Sequence, residues 1–419
     1  MMIEFDCSDE NIKRTIEKDY FKRNAYILNL IDYVKDSVEF NTYAINGEWG
    51  SGKTVFIYQF MYVVKHHEVL AGDDFKDINQ DDMLVYYYNA WEKELMKKPP
   101  MAILSSIINE ICGIDQNERE FYTDCINKLS NVVIKLSTAG LFNANDFLPS
   151  KDDEISVDKI KKTFEETINK IVKRRKCKKV VIIIDELDRC KPTNVVQLLE
   201  EIKHFYSGNN LCIILSSDLK QLGCTIKKLY GEHFDSDLYL QRFFDAIFTI
   251  NRASYEKYIN EELKFNISST NIVNEICKVA ISYNSLTVRE TNKFIKKMKV
   301  IAQKLQNFPP NDKDLSVAKL LFVPWGLALK YRGNDNYDVF MNGSLNKSKI
   351  EEYLYCSKEI PKWISEYYYD RNDIPNDFNI TEKVYSLYRS YFKGKDFIYH
   401  GDDCNALNFR KQIIPYIEF

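Results

Sequence analysis

Apolar positions recur along this chain with two periods. Ile12, Ile16 and Tyr20, then Tyr26, Ile27, Leu30, Ile31 and Val34, fall at helical spacing, which predicts helices over 11–38. Tyr43-Ala44-Ile45-Asn46 is a short apolar strand. A glycine-rich turn follows it, and then an amphipathic helix from about Lys53 to Lys65. Past an acidic loop, Asp73 to Asp82, the run Leu84 to Asn89 is rich in strand formers. Val180 to Ile184 is apolar at every position, the pattern of a strand covered on both faces. A helix over Asn194 to His204 separates it from a second such run, Leu211 to Ser217. Leu238 to Phe244 then leads into a fifth strand, Asp245 to Ile250. Strands that alternate with helices in this way predict an α/β fold with a parallel sheet of about five strands.

The remaining segments divide the chain. A core over 1–97 and 177–252 is expected to be interrupted by a helical insertion, 98–176, with a loop near Asn143 to Asp153. Beyond about Tyr255 the pattern is helical and predicts a lid-like subdomain over 253–310. Pro309-Pro310-Asn311-Asp312 reads as a boundary. A C-terminal mixed, aromatic-rich domain, 311–419, follows. A chain of 419 residues is too long for one ordinary domain, which agrees with this division.

Composition narrows the class. A net charge of −3 excludes a surface that is polyanion-binding throughout, so a nucleic-acid site would have to be a local patch. The ten cysteines form no C-x-x-C pair and the five histidines give no ligand spacing with them. That argues against a zinc site or a disulfide framework and for reduced thiols in a cytoplasm. Met1 to Glu10 is acidic and lacks the apolar stretch of a signal peptide. Uncharged stretches such as Leu320 to Leu329 fall short of the roughly 20 residues a membrane helix needs, so no membrane span is expected.

The chemistry concentrates in three places. Gly47-Glu48-Trp49-Gly50-Ser51-Gly52-Lys53-Thr54 matches G-x-x-x-x-G-K-[ST] between a predicted strand and a predicted helix. Glycines there let successive N–H groups converge on phosphate oxygens, and the start of the helix, Lys53 to Val55, adds its dipole. Lys53 is the expected ligand of the β- and γ-phosphates, and Thr54 the expected hydroxyl on Mg²⁺. Asp185 ends the buried strand, where the second acidic partner of the metal must sit. Glu186 follows directly and is the candidate that polarises an attacking water. Asp188 is either a cap of the next helix or a metal-site residue. The strand Leu211 to Ser217 is expected between the strands of the P-loop and Asp185. Ser217 or Ser216 would then either meet the γ-phosphate from the side or cap the helix near Asp218. No N-K-x-D tetrapeptide follows a strand, which favours ATP over GTP.

These residues resemble the KAP family of P-loop NTPases. The resemblance rests on the P-loop with its internal Trp49, on Tyr88-Asn89-Ala90-Trp91, and on Ile184-Asp185-Glu186-Leu187-Asp188-Arg189-Cys190, with Tyr239-Leu240-Gln241-Arg242-Phe243-Phe244 further on. It covers about residues 15 to 300 and implies an additional-strand P-loop core of the catalytic-glutamate type. It also implies an ATPase that acts as a switch or assembly device, often in bacterial defence against phage or mobile elements. Three departures stand out. Glu186 replaces a more usual aspartate, Arg242 replaces a lysine, and 98–176 carries none of the membrane helices many members have.

Arg189, Arg242 and Arg289 are arginines that can sense a γ-phosphate. Arg242 precedes a core strand, and Arg289 opens the helix Thr287 to Val300. Either can be an arginine finger that makes activity depend on assembly, or a surface ion pair; Arg189 reads as structural. The expected partners are therefore ATP and either further copies of the chain or an effector protein. The basic runs Lys173 to Lys179 and Lys293, Lys296, Lys297, Lys299 read first as solvated surfaces. They hold nucleic-acid phosphates only if they share a face. The aromatic set Trp363, Tyr367, Tyr368, Tyr369, Tyr385, Tyr388 and Tyr391 reads as core.

Overall fold

The structure is a computed structural model that describes residues 7–37, 39–66, 82–92, 157–205, 208–250, 256–263, 270–305, 312–333, 335–369, 373–392 and 417. The acidic loop before Asp82, most of the helical insertion (98–156) and the Pro309-Pro310 boundary lie outside the described residues. The chain separates into two compact units, Ile3–Ala253 and Ser254–Phe419.

The first unit holds an α/β core, and Ile168 and Ile171 of the expected insertion pack into it. Helices α1 (Asp9–Lys18) and α2 (Asn24–Asp36) precede β1 (Asn41–Asn46) and α3 (Lys53–His66). Then come β2 (Met83–Asn89), α4 (Val157–Arg175), β3 (Lys179–Asp185), α5 (Pro192–Phe205) and β4 (Leu211–Ser217). Helices α6 (Leu219–Tyr230) and α7 (Ser236–Gln241) lead to β5 (Ala246–Thr249). The five strands are parallel in the order β2-β3-β4-β1-β5. The Leu211 strand therefore does separate the strands that carry the P-loop and Asp185.

The all-apolar strands are covered on both faces, as their composition requires: every residue of β3 and β4 is buried. Side chains alternate between the two faces. Val181, Ile183, Cys212 and Ile214 pack with α1, α2 and α3, whereas Ile182, Ile184, Ile213 and Leu215 pack with α4, α5 and α6. This parity assigns faces to the polar residues that end the strands. Asp185 and Ser216 share the α3 face, and Ser217 lies on the other.

The apolar rhythm of 11–38 is divided by a turn. Asp19 and Lys22 take left-handed backbone, and the Asp19 carboxylate accepts the N–H groups of Arg23 (2.7 Å) and Asn24 (3.2 Å) at the head of α2.

The second unit is helical among its described residues: α8 (Glu256–Glu262), α9 (Thr270–Tyr283), α10 (Val288–Leu305), α11 (Lys313–Arg332), α12 (Asn336–Met341), α13 (Lys347–Leu354), α14 (Glu359–Tyr368) and α15 (Ile380–Phe392). It joins helices from both sides of residue 310, since α9 and α10 pack on α11. Trp325 of α11 stacks on Tyr353 at 3.9 Å. Gly326 beside it has no room for a side chain, because a Cβ there would meet Phe340 and Ile417 at 2.8 Å. Tyr388 is fully buried, and its hydroxyl donates to the Phe340 carbonyl at 2.7 Å. No helix among the described residues is long and apolar enough to cross a membrane. Among the described cysteines, Cys212, Cys224, Cys277 and Cys356 are free thiols.

Candidate nucleotide-binding site

Chain direction builds this site. Because the sheet is parallel, β1, β3 and β4 all deliver their last residues to one edge, and the loops that follow them meet there. Gly47 begins the loop after β1 and donates its N–H to the Ser217 carbonyl at the end of β4 (3.3 Å). Glu48 C=O accepts from Ser51 N–H at 3.1 Å, which closes a turn. Gly50 (φ 80°) and Gly52 (φ 89°) adopt left-handed backbone that only glycine takes without strain. A Cβ on Gly47 would stand 2.7 Å from Ser51 Oγ. The loop's own geometry thus requires glycine at 50 and 52. Val55 lies buried in the first turn of α3, while the Trp49 ring stays half exposed.

Lys53 is buried and donates to the Gly47 (2.6 Å) and Glu48 (3.3 Å) carbonyls. Burial holds its pKa below the ordinary lysine value; the charges of Asp188, Asp218 and Asp185 oppose that shift. One ammonium thus stands among three carboxylates drawn from two loops.

The central contact joins the two acidic and basic motifs. Thr54 Oγ1 donates to Asp185 Oδ2 at 2.9 Å across 131 residues of sequence. Asp185 is almost fully buried, and two further donors fix its carboxylate: Tyr87 Oη on Oδ2 (3.2 Å) and Glu186 N–H on Oδ1 (2.9 Å). Burial, and then the Asp185 charge, push the Tyr87 pKa far up, so its hydroxyl stays a donor.

Glu186 takes left-handed backbone, φ 62°, uncommon for a residue with a side chain. Its carboxylate pairs with Arg189 at 3.1 Å. Arg189 also lies over the Trp91 ring, 5.5 Å from its centroid. Burial raises the Glu186 pKa, the Arg189 charge lowers it and the Asp185 charge raises it; the net direction is up. Asp188 accepts both the Trp49 indole N–H and the Asp218 backbone N–H, so it ties the P-loop to the head of α6. Asp218 itself caps α6 by accepting from Gln221 N–H.

Three further sequence-derived positions are Ser217, Arg242 and Arg289. Ser217 projects to the face opposite Asp185, whereas Ser216 shares the Asp185 face; both hydroxyls are buried without partners among the described residues. Arg242 is exposed at the end of α7. Arg289 is exposed near the start of α10, in the second unit. The first basic run is partly occupied: Lys178 pairs with Asp82 at 2.6 Å, and Lys179 is buried with its ammonium on the Val34 carbonyl at 3.0 Å. In the second run, Lys299 pairs with Glu262 at 3.1 Å. Pattern reading did not single out Arg23, Tyr87 or the Asn46 side chain, which accepts the Leu219 N–H at 3.1 Å.

The donor set suits a metal-bound triphosphate. Hard oxygens from Thr54 and Asp185 stand together, an ammonium is adjacent, and the hydroxyls of Ser51 and Ser216 are buried without partners among the described residues. The sequence pattern of the KAP family P-loop domain matches residues 23–308, more than half of the chain. A search of curated proteins gives no match.

Proposed function

The chain belongs to the KAP family of P-loop NTPases, and from that premise we propose that it binds ATP with Mg²⁺ and hydrolyses it to drive a switch. The observation that carries this reading is the Thr54–Asp185 hydrogen bond, which brings the P-loop and the acidic motif to one point beside Lys53. The backbone amides of Gly47 to Val55 bind the phosphate chain. Lys53 leaves the Gly47 and Glu48 carbonyls to meet the β- and γ-phosphates. Thr54 and Asp185 hold Mg²⁺, which when bound neutralises charge on the phosphate oxygens.

Glu186 is the proposed general base. It accepts a proton from water as the water oxygen bonds to the γ-phosphorus and the bond to the bridging oxygen breaks, giving ADP and phosphate. Its raised pKa makes it a stronger base than an ordinary glutamate. Arg189 holds the carboxylate in place before turnover. A base restrained in this way supports a slow basal rate that assembly or a partner accelerates, with Arg242 and Arg289 as the fingers and Ser216, on the Asp185 face, in place of Ser217 as the serine that flanks the terminal phosphate. The switch acts in a cytoplasm on further copies of the chain or on an effector protein. A role in defence against phage or mobile elements rests on family resemblance alone.

The test is phosphate release by the purified protein over a range of protein concentrations. Glu186→Gln should bind ATP without turnover. Wild-type protein that binds ATP but releases no phosphate at any concentration would make it a nucleotide-dependent binding module instead.

A further inference from the structure

An arginine outside every recognised motif reaches the P-loop from behind. Arg23 is buried, yet it lies 28 residues before Ser51 in sequence. Its guanidinium donates through one terminal nitrogen to the Ser51 carbonyl (2.7 Å) and through the other to the Gly52 carbonyl (3.2 Å). The turn that carries it is itself fixed. Asp19 accepts the backbone N–H of Arg23, and Asn24 Nδ2 donates to the Ile16 carbonyl at 2.9 Å. The guanidinium carbon lies 5.4 Å from the Phe21 ring centroid.

The consequence follows from the peptide plane. In a trans peptide the C=O and the following N–H point in opposite directions. Holding the Ser51 carbonyl toward Arg23 therefore aims the Gly52 N–H away from it. Holding the Gly52 carbonyl aims the Lys53 N–H away likewise. Those two amides belong to the turn between Gly50 and Thr54, where left-handed glycines at 50 and 52 leave the backbone permissive; the Gly52 carbonyl also accepts the Phe56 N–H of α3 at 3.0 Å, so the brace matters most at the Ser51 carbonyl. We propose that Arg23 is a positioning residue for phosphate binding. Its two-pronged hold on consecutive carbonyls sets the direction of the amides that receive the triphosphate, and its buried positive charge adds to their field. This inference rests on the ATP reading of the same site.

The test compares wild type, Arg23→Met and Arg23→Lys by titration calorimetry with Mg-ATP and, separately, with Mg-tripolyphosphate, alongside thermal unfolding of each ligand-free protein. Arg23→Met should weaken both ligands by about tenfold and by the same factor, as expected for loss of a charge-assisted bond acting on the phosphates alone. Arg23→Lys should recover part of the loss. It keeps the charge but not the fork. A merely structural arginine would lower the melting temperature and leave the affinity of the folded protein unchanged. That outcome overturns the inference, as does weakened ATP binding with unchanged tripolyphosphate binding. If Arg23→Met does not fold, unchanged affinity for both ligands in Arg23→Lys overturns it equally. Wild-type protein that binds neither ligand would remove the ATP reading itself, a result distinct from all of these.

Discussion

Replacing Lys53 with methionine keeps most of the side-chain volume in α3 and removes the ammonium. In the ligand-free protein that ammonium has two carbonyl acceptors and stands near Asp188, Asp218 and Asp185. Two losses follow for a bound triphosphate. A charge-assisted hydrogen bond to phosphate is worth about 1.5–3 kcal/mol. The carboxylates also lose their counter-charge beside an anionic ligand; at an effective dielectric of about 20, one unit pair roughly 6 Å apart amounts to about 3 kcal/mol. Screening by the remaining P-loop dipoles trims the total to about 3–5 kcal/mol, the usual cost of removing one member of a buried charge pair. Affinity for Mg-ATP should therefore fall by roughly two to three and a half orders of magnitude. Calorimetric titration of the folded variant, with its thermal unfolding as a control, reads this directly. A loss smaller than about tenfold would refute the reasoning, since it would mean that Lys53 stays on its carbonyl acceptors and does not face the phosphates.

Further predictions concern the neighbouring groups. The acid limb of kcat/KM against pH should lie above the ordinary glutamate range, because Glu186 must lose its proton and its pKa is raised in the free protein; Arg189→Gln should move that limb to still higher pH. Glu201 of α5 is buried, and its pKa is pushed from 4.5 up to about 8, chiefly by burial. The folded chain then keeps a proton that the unfolded chain releases, so stability should fall as pH rises from about 4.5 to about 8 and level off above. Glu201→Gln should flatten that slope in melting temperature against pH. If Arg242 is a finger in trans, specific activity should rise with protein concentration, and Arg242→Ala should abolish that rise without changing ATP affinity in calorimetry.

The parts of the fold and site written in local patterns were legible. Short, uniformly apolar and β-branched runs such as Val180 to Ile184 favour strands covered on both sides, and five strands alternating with helices leave few parallel topologies. The glycine-rich segment encodes its own turn, because Gly52 of the consensus and Gly50 inside it take left-handed backbone. What escaped depends on how distant segments meet. Nothing in the neighbours of Arg23 says that left-handed residues at Asp19 and Lys22 will break the helical rhythm and aim a guanidinium at carbonyls 28 and 29 residues away. Asp188 could be narrowed to a cap or a metal-site residue, yet its carboxylate spans Trp49 and the head of α6. The serines that end β4 were recognised as a pair. Only strand parity separates them, because a one-residue step in a strand exchanges the faces.

Calorimetric titration of the wild-type chain with ATP, with and without Mg²⁺, probes the joint Thr54–Asp185–Lys53 arrangement most directly. Saturable heat at one site per chain, strengthened by Mg²⁺ and lost in Asp185→Asn with Thr54→Val, is the predicted result. Well-folded wild-type protein that gives no heat with Mg-ATP would contradict the account.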